Sequence, residues 1–134
     1  MSKTINISRI FDQRVSEVLF YVWDPIGINI NVTYRDEYDS YVPIISAYLL
    51  SNVDENGLNC LLLYIMEQLM GLKLLKNHRR KYQHQQAIQA LVNWRDLFVS
   101  KFPNSMQIKP KFPFNENFAT QLTWSREQSY NREF

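Results

Sequence analysis

Apolar residues recur at steps of three and four along four stretches of this chain, and each stretch is closed by proline, glycine or an Asx residue. The first series is Ile7, Ile10, Phe11, Val15, Val18, Leu19 and Val22. That spacing lines one face of a helix and is incompatible with the two-residue alternation of a half-buried strand. Asn6 or Ser8 is the candidate cap at its start. Trp23-Asp24-Pro25-Ile26-Gly27 ends it, because Pro25 disfavours helical geometry at Asp24 and Gly27 favours a turn. Residues 28–34 alternate loosely and read as a loop.

Arg35 to Tyr41 is a polar approach to a second helix. Asp39 or Ser40 would cap it, Pro43 suits its first turn, and Ile44, Ile45, Tyr48 and Leu49 would be buried. Asp54 is a strong N-cap for a third helix, with Leu58, Leu61, Leu62, Ile65, Met66 and Leu69 on its apolar face and Gly71 at its end. A long fourth helix is predicted from about Asn77 to Phe102. Its stripe is Tyr82, Ile88, Leu91, Val92, Phe98, Val99 and Phe102, and Pro103 stops it.

The fold class is therefore all-α: a compact bundle of about four to five helices, followed by an aromatic-rich extended C-terminal tail. Residues 1–134 form a single domain, with a helical core over 1–103 and a packed tail over 104–134. With Pro110, Pro113, Trp124 and several phenylalanines, the tail is too aromatic to stay solvated. No apolar run reaches the roughly 18 residues that a membrane helix needs. Residues 1–15 have no signal-peptide layout, so the cytoplasm is the expected location.

Candidate chemistry is sparse. The one cysteine, Cys60, rules out an internal disulfide and any multi-cysteine zinc site. Surrounded by leucines, it reads as a buried inert thiol. His78 and His84 lie six residues apart, so they do not share a helix face as zinc-binding histidines do at i, i+4. Both read as surface residues. The three glycines, Gly27, Gly57 and Gly71, are too scattered for a phosphate loop, and no serine has a nucleophile-elbow context. Neither a cofactor nor a metal is expected, and the chain reads as a binding protein, not an enzyme.

Charge is distributed unevenly. From Ile10 to Met70 nine acids face two bases, a net of −7; from Gly71 to Lys111 nine bases face one acid, a net of +8. The halves would attract each other, or either would serve as a docking face. Asp24, Asp36, Glu37 and Asp39 form the acidic cluster. Helix capping is its plainer role, a partner-facing patch the second, and a metal or acid/base site the third, since the spacing does not match a hard-cation loop. Lys73, Lys76, Arg79, Arg80 and Lys81 form the basic cluster. A solvated helix start or an intramolecular match explains it more simply than phosphate binding. It lacks interleaved aromatics, so nucleic acid is the disfavoured partner.

Three short motifs in order, Trp23-Asp24-Pro25-Ile26-Gly27, Asp36-Glu37-Tyr38-Asp39-Ser40-Tyr41-Val42-Pro43 and Met70-Gly71-Leu72, resemble a family of small uncharacterised bacterial helical proteins. Proteins of this kind look similar to the immunity proteins of contact-dependent growth inhibition and other polymorphic toxin systems. The resemblance implies a cytoplasmic protein that binds and neutralises a cognate toxin domain, a nuclease by preference, with no membrane association and a monomer as the default. It covers about Val18 to Leu72 and brings no catalytic residues. Within it, Asp36, Glu37, Asp39, Tyr38 and Tyr41 are the expected contacts. The alternative is a nucleic-acid-associated helical protein using residues 73–81. Trp23 is expected to anchor the first helix end in the core, and Asp24 to accept backbone N–H groups in the turn.

Overall fold

In a computed structural model, residues 7–51, 54–72 and 78–107 are described. Four α-helices account for most of them, and among the described residues there is no strand. α1 runs Ile7–Val18 and passes directly into a π-helical extension, Leu19–Trp23. Short 3₁₀ turns at Val32–Tyr34 and Asp39–Tyr41 precede α2, Val42–Leu49. α3 is Glu55–Tyr64, again extended by a π segment, Ile65–Leu69. α4, His78–Lys101, is the longest element, and a 3₁₀ turn at Pro103–Gln107 follows it. The tail beyond residue 107 lies outside the described residues, as does Asn6. Among the described residues no helix is long and apolar enough to cross a membrane.

α4 lies against α1, its π extension, α2 and α3, and the core collects along that line of contact. Its buried residues, His84, Ala87, Ile88, Leu91, Val92 and Phe98, follow one another at helical steps. Phe11 of α1 sits among the aromatics of α4, with ring centroids 5.8 Å from Trp94 and 4.8 Å from Phe98. The Trp94 indole N–H donates to the Phe11 carbonyl at 3.2 Å, so this half-buried amphipathic ring has its polar handle satisfied.

The two π segments correct the expected stripes. One π turn carries an extra residue, so every side chain after it moves round the helix by one position. In the first, Phe20 and Trp23 enter the core while Val22 is only half-buried. In the second, Ile65 and Met66 are buried and Leu69 is exposed. Tyr82, also expected inside, is exposed. Asp54 caps α3 as expected, accepting from the Gly57 N–H at 2.8 Å. Gly71 adopts φ +70°, the left-handed conformation of a helix stop. Neither Asp39 nor Ser40 caps α2, whose N-cap is Tyr41 with no side-chain bond. Ser8 lies inside α1.

Candidate functional site

Asp24 organises the segment that connects α1 to α2. It follows the π extension in a left-handed conformation, φ 37° and ψ 60°, a region where Asp and Asn are the favoured residues after glycine. Its side chain is buried and accepts four hydrogen bonds. The backbone N–H groups of Gly27, Ile28 and Asn29 donate at 3.1, 2.8 and 3.2 Å. The fourth donor is the Tyr38 hydroxyl, 2.8 Å from Oδ1. That hydroxyl in turn accepts from the Ile26 N–H at 3.0 Å. Burial first, and the Asp24 acceptor second, push the Tyr38 phenol well above its ordinary range, so it stays a donor at any physiological pH.

A cation closes the same turn from outside. Arg80 of α4 donates to the Asp24 carbonyl at 2.6 Å. Gly27, at φ +81°, leaves room for it: a Cβ there would lie 2.9 Å from the guanidinium. The loop is thus held at its root by a carboxylate, a phenol and a guanidinium from three parts of the chain.

The far side of the loop is tied to α1. Arg35 donates to the Ser16 hydroxyl at 2.8 Å, and Ser16 donates to Asp39 Oδ1 at 2.5 Å. The Arg35 guanidinium lies 5.5 Å from the Phe20 ring centroid and 5.4 Å from that of Tyr21, and 3.9 Å from the Asp39 carboxylate. An open groove of about 660 Å³ runs between α1 and the start of α2, with Arg9, Asp12, Ser16, Arg35 and Asp39 on its walls. A more apolar groove of about 540 Å³ lies between Ile7 and Phe11 of α1 and Phe98, Phe102 and Pro103.

The expected contact residues separate. Asp36, Glu37 and Asp39 are exposed and sit together on the loop. Tyr38 between them is 1 % exposed, so the expectation that it meets a partner is corrected: it is the strut that holds its neighbours out. Tyr41 is half-buried against the core. Asp24 is removed from the acidic surface patch because its charge faces inward onto backbone N–H groups.

The basic cluster also divides. Lys73 and Lys76 lie outside the described residues. Arg79 is exposed and Lys81 half-buried, whereas Arg80 is directed inward onto Asp24. Sequence spacing alone did not distinguish a structural arginine from its surface neighbour.

His84 corrects the expectation of a surface residue. It is 3 % exposed. Trp23 Nε1–H donates to its Nδ1 at 3.2 Å, so Nε2 carries the proton and donates to Asn59 Oδ1 at 2.7 Å. Burial lowers its pKa from 6.5 to about 4, which keeps the ring neutral. With both nitrogens engaged, the imidazole is not presented to any ligand. His78 is exposed and Cys60 buried, as expected. Among the described residues no group of three or more His, Cys, Asp or Glu is arranged to hold a metal ion.

Comparison with known proteins returns no match: no protein-family model, no curated protein and no solved structure aligns with the chain.

Proposed function

We propose that this protein is an immunity protein: a cytoplasmic binder that neutralises a cognate toxin domain, a nuclease by preference, by covering it with the loop between α1 and α2. The observation that carries the reading is the burial of Tyr38 between exposed Asp36, Glu37 and Asp39. A strut fixed to Asp24 underlies exposed Asp36 and Glu37, with Asp39 tied to Ser16 and Arg35, on a backbone that is already ordered, and pre-ordering reduces the entropy lost on association. A stable complex of this type buries roughly 800 Å² on each partner. The acids suit a cationic target such as a nucleic-acid-cleaving surface. The first two of the resembling motifs contain Asp24 and Tyr38, so the residues that carry the resemblance are the ones that build the strut.

Co-expression with the toxin domain encoded beside the gene tests the proposal. Survival of the host and co-purification of the two proteins are expected. Continued killing without co-purification overturns it.

A further inference from the structure

The loop that carries the acids also carries apolar side chains into solvent. Ile30 is 93 % exposed, Val32 71 % and Tyr34 48 %. Single exposed apolar residues are ordinary on a protein surface, but three within five residues of one ordered loop concentrate apolar surface there. Nor are these side chains outside because their backbone lacks partners. The Asn31 side chain accepts from the Thr33 N–H at 3.0 Å, and the Tyr34, Arg35 and Glu37 N–H groups close successive turns onto Asn31, Val32 and Tyr34 carbonyls. Exposed Tyr21 of the π extension adjoins the loop. Asn29 Nδ2 donates to the Tyr21 carbonyl at 3.4 Å, and Arg35 lies over the Tyr21 ring.

We infer that Ile30, Val32 and Tyr34 are the anchor of the interface, and that the partner surface is an apolar recess with a basic rim. The inference rests on the reading of this loop as the docking face, and it adds which residues hold the partner and what the partner must present. The basic rim follows from charge. Asp36 and Glu37 are exposed beside the anchor, while the one cation in the run, Arg35, is turned onto Asp39 and two aromatic rings. The two kinds of residue have different kinetic roles. Rim carboxylates steer encounter and set its salt dependence, whereas desolvated apolar anchors set how long the complex lasts.

The test is binding kinetics of the full chain against a catalytically inactivated form of the neighbouring toxin domain, at low and high salt. Val32→Ala with Tyr34→Ala is expected to raise the dissociation rate about tenfold or more while changing association less than about threefold. Asp36→Ala with Glu37→Ala is expected to slow association several-fold at low salt and to flatten its salt dependence. All four side chains are exposed, so thermal unfolding of the variants should match the parent, and this is checked first. A parent that binds, with variants of Val32 and Tyr34 that dissociate at the parent rate, overturns the anchor. Binding indifferent to salt in the parent overturns the basic rim. A self-associating chain whose dimer is lost on Ile30→Asp overturns the partner and assigns the surface to a second copy. A parent that does not bind at all defeats the proposed function itself, a result distinct from the other three.

Discussion

The Tyr38 hydroxyl donates to Asp24 Oδ1 across 2.8 Å in the protein interior, fourteen residues along the chain. This bond joins the end of α1 to the approach of α2, and everything between them hangs from it. Asp24→Ala removes the acceptor of three backbone N–H groups and of the phenol. It is expected to lower the unfolding free energy by about 2–4 kcal/mol. Tyr38→Phe keeps the ring and leaves the Ile26 N–H and one carboxylate lone pair unmatched, for a loss of about 1–2 kcal/mol. Urea unfolding of both variants checks the order. Equal, negligible losses would show that the strut carries no load.

Gly27→Ala combines two penalties. Its φ of +81° strains any side chain, and the new Cβ would meet the Arg80 guanidinium at 2.9 Å. That guanidinium is held by its bond to the Asp24 carbonyl, so yielding means losing a hydrogen bond. A loss of about 1–2 kcal/mol is expected by chemical denaturation. Arg80→Ala with Gly27→Ala should lose less than the sum of the two single changes, because the clash is gone.

Stability should fall on mild acidification through His84. Its folded pKa of about 4 lies below the ordinary 6.5, so between those values the unfolded chain binds a proton that the folded chain refuses. The contribution is therefore complete above pH 6.5 and lost as pH falls toward 4, to an extent of about 3 kcal/mol in full. His84→Gln offers Trp23 an acceptor and Asn59 a donor without titrating. Unfolding curves at a series of pH values should be flatter for the variant over this window. Identical slopes would remove His84 as the cause.

How far these features were legible in the sequence differs by residue. The four helices, their stops at Pro25, Gly71 and Pro103, and the start of α3 at Asp54 follow from local signals, because each acts on its own stretch of backbone. The π segments were not legible, since a one-residue widening leaves no mark in a stripe of mixed Leu, Val and Phe. The spacing of His84 from His78 carries no signal of its burial. Measured against Ile88, Leu91 and Val92 it stands at helical steps on the buried stripe, and that signal was available. Tyr82, six residues before Ile88, is off the stripe by the same measure. Asp24 as the acceptor in its turn was legible from Asp-Pro-x-Gly. Its pairing with Tyr38 was not, for it is a tertiary contact between two motifs. Without that contact, sequence alone groups Tyr38 with its acidic neighbours.

Ser46 offers a change in the other direction. It is 4 % exposed, and among the described residues its hydroxyl has no hydrogen-bond partner. Ser46→Ala should raise the unfolding free energy by about 1 kcal/mol by removing a buried, unmatched polar group. A lower midpoint in urea would show that the hydroxyl is satisfied in solution.

The central claim is that the loop between α1 and α2 is a fixed surface, held by Asp24 and Tyr38 before any partner arrives. Amide hydrogen exchange in the free protein tests it most directly. The Gly27, Ile28 and Asn29 N–H groups, which donate to the Asp24 carboxylate, should exchange at least about a thousandfold more slowly than in an unstructured chain. Tyr38→Phe should speed their exchange by about five- to thirtyfold while leaving the buried amides of α4 protected. Exchange of these three amides at unstructured rates in the parent protein would contradict the account.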